Sequence, residues 1–411
     1  MAKPKILVTG ATGGTGLPVV SALLGKDFPV RAMVHKLDAR SAALEKRGVE
    51  IVVADMYDPD QLYDALRGTQ RAYFLPLIEP YMIQSATAFA VAAREAKLEH
   101  VVQMSQWTSH RAHPTAMTQQ TWLVDKLFAA IPGVANTIFN PGMFAHNFLR
   151  TMDFAALLGI YPVLSGDGRA APISNEDMGR VAAVLLSEGP DKHAGKSYRP
   201  TGPKLLNGRE MAAEVAKAVG HRVIAINLPI WMLGKVAQQQ GIEPYQISCL
   251  RYYMEDMRRG TFAFEGGVTN VVRELTGSPS ESFETTARRY ASLPFARQTI
   301  GNRLKAFINF NLTPFYPGYN FDKWDRRMGF PQPRTPSLSI EDARWREEHA
   351  AQMAGSDAVD AAPVGDGGRD GLLRAIRRHG NLAENADREE SHSDPDALAT
   401  PRELAPKGLS A

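Results

Sequence analysis

The segment Val8-Thr9-Gly10-Ala11-Thr12-Gly13-Gly14-Thr15-Gly16 constrains this chain more than any other. It follows the strand-like Ile6-Leu7-Val8 directly and runs into the helical pattern Leu17 to Leu24, so glycines spaced G-x-x-G-x-x-G sit at a strand-to-helix turn. Gly10 permits the tight turn, Gly13 lets backbone N–H groups approach a diphosphate, and Gly16 allows helix and strand to pack closely. The helix N-terminus then faces an anion. With Thr12, Gly14 and Thr15 the segment makes a candidate nucleotide cradle.

The rest of the first part repeats the rhythm. Short β-branched or apolar runs at Pro29 to Val34, Ile51 to Val53, Ala72 to Leu75, Val101 to Met104 and Thr137 to Phe139 alternate with helical patterns. That alternation predicts an α/β fold with a doubly wound parallel sheet buried on both faces, a Rossmann-type core over residues 1–142. Asp58-Pro59-Asp60-Gln61 opens one of its helices, with Asp58 as cap and Pro59 in the first turn, and Gly68 ends it.

A NAD-preferring fold places an acid about 20 residues past the loop, on the ribose 2′-hydroxyl. Here that position holds His35 and Lys36, with Arg40 one turn further and Arg31 within the strand. Cations there favour a 2′-phosphate, which predicts NADP(H) over NAD(H); Asp38 tempers the bias. Asp55-Met56, past the third strand, falls where such folds meet adenine, or it serves as a helix-capping loop. Pro76 and Ser105, at the ends of the fourth and fifth strands, complete the predicted cofactor-binding set.

After Asn140-Pro141-Gly142 the pattern turns to helices with short extended pieces, predicting a smaller α/β substrate-side region over 143–294. Ser174-Asn175-Glu176-Asp177 reads as a capping box ahead of Met178 to Leu186. Residues 295–354 are rich in rings and cations and are interrupted by Pro314, Pro317, Pro331 and Pro333. These breaks deny the segment a continuous amphipathic helix and suggest an arm that wraps on the body. Residues 355–411 hold no aromatic side chain, 7 basic and 11 acidic ones, a composition that predicts disorder.

The net charge of +3 over 411 residues makes no case for nucleic acid, and no apolar run is long enough to span a membrane, so neither nucleic acid nor a membrane is an expected partner. One cysteine, Cys249, and an N-terminus without an apolar leader predict a cytoplasmic protein.

The Gly10 to Gly16 loop, His35, Gly48-Val49-Glu50 leading to Ala54-Asp55, Phe74-Leu75 and Asn140-Pro141-Gly142-Met143-Phe144 together resemble the NmrA-like family. So do Pro172 to Asp177 and Tyr198 to Gly202, which extends the resemblance over about residues 4–290. The resemblance implies an atypical short-chain dehydrogenase with a Rossmann domain. Such proteins are either NAD(P)H-dependent reductases of quinone-like acceptors or redox sensors that bind the dinucleotide and regulate a protein partner.

Ordinary short-chain dehydrogenases carry a Tyr-x-x-x-Lys pair whose phenol protonates a nascent alkoxide. The helical pattern from Thr115 to Ala130 has no tyrosine, and Trp122 falls near the position where reductases of this family often carry lysine. Tyr319 and Lys323 have the spacing but sit in the arm, and Tyr63 with Arg67 lies on another helix. Hydride transfer to a quinone makes a delocalised oxyanion that needs less help, so a small conjugated acceptor is the predicted substrate. Ser105, Gln106 and Thr108 are the candidate pocket groups. His110 is a candidate proton donor, and with His113 forms an H-x-x-H too poor in further ligands to argue for a metal. Met143, Phe144 and Phe148 are candidates for the wall of an apolar cleft.

Overall fold

Runs such as Ile6-Leu7-Val8 have no polar face and settle where both faces of a sheet are covered. The computed structural model describes residues 3–353, so the expectation for 355–411 lies outside the described residues. Its strands are β1 (Ile6–Val8), β2 (Val30–Val34), β3 (Glu50–Val53), β4 (Arg71–Phe74), β5 (His100–Met104), β6 (Ala135–Phe139), β7 (Ile160–Val163), β8 (Ser197–Tyr198) and β9 (Ile224–Asn227). Seven of them form one parallel sheet in the order β3-β2-β1-β4-β5-β6-β8, while β7 and β9 pair separately. The order reverses beside β1, where Val8 pairs with Ala32 of β2 on one side and Tyr73 of β4 on the other. A crevice opens at the carboxyl ends of strands at such a point.

The crossovers are α1 (Gly16–Leu24), α2 (Ala39–Glu45), α3 (Pro59–Leu66), α4 (Met82–Glu95) and α5 (Ala116–Ala129). Asp58 caps α3 through the Asp60 and Gln61 amides, as its sequence predicts. On one face of the sheet Phe74, Phe89 and Phe128 stack, with Phe74 4.5 Å from Phe89 and 4.8 Å from Phe128. On the other face Val19, Val20 and Leu23 of α1 meet Val181 and Leu185 of a later helix.

That later helix belongs to the second series: α6 (Ala145–Phe148), α7 (Met152–Leu158), α8 (Asn175–Glu188), α9 (Pro190–His193) and α10 (Gly208–Val219). Ser174 caps α8 by accepting from the Asp177 amide at 3.0 Å, so the helix begins at Asn175, before Met178. Only half of the expected capping box forms. The Asp177 carboxylate turns instead to Arg180 and to the Glu281 amide. Strand β8 joins the first sheet beside β6, and α8 packs on it with α1.

The remaining helices are α11 (Trp231–Gln239), α12 (Pro244–Arg258), α13 (Val271–Thr276), α14 (Phe283–Ala291), α15 (Ile300–Leu312), α16 (Phe321–Met328) and α17 (Ala343–Met353). Prolines do break the arm, but α15 runs uninterrupted through 13 residues, against the expectation of no continuous helix there. Helix formation needs only a proline-free stretch, and the prolines bracket this one. Later in the arm, Ser339 Oγ donates to the Thr108 carbonyl at 2.8 Å and the Ser337 amide to that of Ala112 at 3.0 Å. Trp345 is buried near the Arg199 guanidinium, which also lies 4.5 Å from the Trp107 ring. Among the described residues, no helix is long and apolar enough to cross a membrane.

Candidate active site

The glycine loop turns on Gly10, whose φ of +60° is costly for any side chain, and a Cβ there would meet Leu75 at 2.9 Å. Thr9 ties the loop to β4: its Oγ1 accepts from the Leu75 amide at 2.8 Å. Thr15 precedes α1 without a side-chain cap, and among the described residues the Gly14, Thr15 and Gly16 amides meet no acceptor. Donors left at a helix N-terminus call for an anion. The backbone therefore fits a diphosphate on this structure's own evidence. Asn175, the first residue of α8, reaches the same loop, since a Cβ on Gly14 would stand 3.3 Å from its Nδ2.

A cavity of about 950 Å³ runs from this loop along the carboxyl ends of the strands. Of the predicted cofactor residues, Gly10, Thr12, Gly13, Gly14, Thr15, His35, Asp55, Met56, Pro76 and Ser105 line it. Gly16 does not, because it is buried in the helix–strand contact, its absent Cβ facing the Gly10 carbonyl. Lys36 and Arg40 also stay off the wall. Arg40 is folded onto Asp38, donating from Nε at 3.0 Å and Nη2 at 2.6 Å, while Asp38 caps α2. Arg31 pairs with Glu50 and with the Ala65 and Arg67 carbonyls.

At the other end the cavity is bounded by Ser105 and Gln106 after β5 and by Met143 and Phe144 after β6. Asp125 on α5 holds this floor. It accepts from Gln103 Nε2 at 2.7 Å, Ser105 Oγ at 2.8 Å and Ser109 Oγ at 2.6 Å. Burial pushes its carboxyl up to about 6, opposed by those same hydrogen bonds. The Ser105 proton is thus committed to Asp125. His146 of α6 also lines the cavity; burial lowers its imidazole to about 4, so it is neutral at pH 7. Its Nδ1 lies 3.1 Å from Asn175 Oδ1, an arrangement that puts the proton on Nδ1 and leaves Nε2 an acceptor.

Thr108, His110 and His113 are not part of this wall, contrary to expectation. The loop after Trp107 turns down beneath the arm, where His110 Nε2 lies 3.1 Å from Asp342 Oδ2. His113 Nε2 lies 2.9 Å from the buried Asp256. The two imidazoles face different carboxylates, and burial depresses that of His110, which fits neither a proton donor nor a shared metal. Neither Tyr319 and Lys323 nor Trp122 reaches the cavity, and Lys126 lies over the Trp122 ring at 5.5 Å.

Sequence reasoning missed the contribution of α12, whose Gln246, Cys249 and Tyr253 close the cavity some 140 residues after β5. No local motif marks them. It also passed over Arg150, which lines both this cavity and a smaller apolar chamber of about 120 Å³ beside it. Phe148 belongs to that chamber, with Phe154, Met232 and Phe310.

The chain is similar to relatives of known activity over most of their length. An NAD(P)H azoreductase of Xenophilus azovorans is 28% identical over 289 residues, which are 70% of this chain and 98% of that protein. Quinone oxidoreductase 2 of Escherichia coli is 26% identical over 225 residues, 54% of this chain and 77% of the relative. The structure of an Escherichia coli NADPH-dependent quinone oxidoreductase with NADPH superposes with a TM-score of 0.61 at 23% identity, covering 69% of this chain and 99% of that one. Residues 2–257 match the family profile, and the chain belongs to the NmrA-like family.

Proposed function

We propose that this protein is an NADP(H)-dependent reductase that passes a hydride to a quinone-like or other conjugated small-molecule acceptor. The observation that carries the reading is the single cavity joining a diphosphate-ready helix N-terminus to a floor walled by Met143 and Phe144. When bound there, the dinucleotide supplies the hydride. The chain's own residues bind and orient: amides of Gly14 and Thr15 take the diphosphate, Asp55 and Met56 flank the adenosine side, and Ser105 and Gln106 bound the acceptor side. Among the described residues no Tyr-x-x-x-Lys pair lines the cavity, the Ser105 proton is held by Asp125, and His146 is neutral. Such a floor suits an acceptor whose reduced form needs no strong acid at the moment of transfer. The relatives' azo and quinone activities point the same way.

His35 at the wall and Lys36 beside it support NADP(H) over NAD(H). The lone buried Cys249 suits a reducing, cytoplasmic setting. Aerobic NADPH oxidation against a panel of quinones and azo dyes, with calorimetry of NADPH and NADH, tests the whole reading. Acceptor-dependent turnover with tighter NADPH binding is expected. Tight cofactor binding with no turnover on any acceptor would replace the reductase with a sensor acting on a protein partner.

A further inference from the structure

Helix α15 turns its apolar side outward. Its inner face is narrow: Ala306 is buried, and the Phe310 ring meets that of Phe154 at 5.5 Å. On the outer face Ile300 is 90% exposed, Leu304 58%, Phe307 56% and Ile308 41%, at the three- and four-residue spacing of one helix stripe. Phe315, just past the helix, is 83% exposed. Single exposed apolar residues are ordinary, but a contiguous stripe marks a contact surface.

Along the segment that carries the stripe, the charges are of one sign. From Leu293 to Tyr316 the chain carries Arg297, Arg303 and Lys305 and no acidic residue. At about 100° per residue, Arg303 falls on one border of the stripe and Lys305 on the other. Asp153 of α7 lies close enough to Lys305 to share its field, so the arginines carry most of the uncompensated charge.

We propose that this face docks on an anionic lipid surface, with α15 lying in the plane of the headgroups. An apolar strip between two cationic borders suits that setting, because the rings and aliphatic chains enter the acyl boundary while the cations reach back to phosphates. A two-fold contact between copies of the chain would set the same cations against one another. The opposite, inner side of the same segment borders the apolar chamber through Phe310 and Thr313, and that chamber shares Asn147, Arg150, Ile242, Ile247 and Leu250 with the main cavity. Docking would bring a bilayer-dissolved acceptor beside that chamber. This consequence rests on the reductase reading, whereas the docking itself does not.

Flotation of the full chain with vesicles of phosphatidylcholine, alone or mixed with phosphatidylglycerol, is the test. The protein should float with the mixed vesicles and stay behind with phosphatidylcholine alone, and salt should release it. Replacing both Leu304→Gln and Phe307→Gln, or both Arg297→Gln and Arg303→Gln, should lower the partition coefficient about tenfold or more at an unchanged melting temperature. Phe307→Trp, read as the emission difference from the wild type with its five native tryptophans, should shift to the blue on anionic vesicles and needs no disruptive change. Failure of the wild-type chain to float at low salt, no blue shift, or unchanged partition in both double variants would overturn the proposal. So would a dimer that Leu304→Gln with Phe307→Gln splits while vesicle binding persists, which would assign the face to a second copy. Vesicle binding by a protein that turns over no acceptor would leave the docking standing and remove only the reductase.

Discussion

A Cβ placed on Gly16 would lie 2.2 Å from the carbonyl oxygen of Gly10. This contact presses the first turn of α1 against the end of β1 and aims the free amides of the loop into the cavity. Gly16→Ala must push the helix away, so it should cost about 1–3 kcal/mol of stability and abolish dinucleotide binding together. Gly13 differs, since a Cβ there comes no closer than 3.3 Å to the same oxygen. Gly13→Ala should therefore nearly keep the melting temperature while losing affinity in calorimetry. Equal behaviour of the two variants would contradict this division of roles.

The pairing of Arg40 with Asp38 separates the cations that sequence groups together. Arg40→Ala should change the NADPH dissociation constant less than about threefold, because its guanidinium already serves a carboxylate. His35→Ala with Lys36→Ala should weaken NADPH by about tenfold or more and leave NADH nearly unaffected, as lost charge-assisted bonds to a phosphate require. Fluorescence titration of both coenzymes reads the result directly.

Asp125 makes a pH prediction with a definite sign. Its folded carboxyl sits at about 6, above the ordinary 3.8, so the protonated form is favoured by folding. Stability from this group is fully present below about pH 3.8 and is lost as pH rises through about 6, an amount on the order of 2–3 kcal/mol. Denaturant unfolding of the wild type and Asp125→Asn across that window should show a stability difference that shifts in favour of the variant as pH rises. A difference independent of pH would mean that folding leaves the carboxyl at its ordinary pKa.

Trp345 tests whether the arm braces the body. It is 2% exposed and stacks on His349 at 3.9 Å, near Arg199 and Phe264. Trp345→Ala should cost about 3–5 kcal/mol by the cavity it leaves. A loss well under 1 kcal/mol would mean that the arm is merely laid on the surface.

Much of the first sheet and of the glycine-loop end of the cavity was legible in the chain. Gly10, Gly13 and Gly16 at a strand-to-helix turn leave the backbone few solutions, and the β-branched runs at residues 6–8, 101–104 and 137–139 need cover on both faces. These are local demands, met within a turn or two of sequence. The far end of the cavity was not legible, because Gln246, Cys249 and Tyr253 reach it only when α12 packs across α5. The fate of His110 was decided in the same way: nothing near it in sequence announces Asp342.

The arm shows the same limit from outside. Its composition spoke of rings and cations, but which rings face inward depended on where α7 lay. Sequence by itself determined the parallel sheet and the anion-ready loop, since backbone sterics and hydrogen bonding act over neighbouring residues. Tertiary structure alone decided which polar groups are neutralised, which enter the cavity and which apolar face remains uncovered, because each depends on partners brought together from distant parts of the chain.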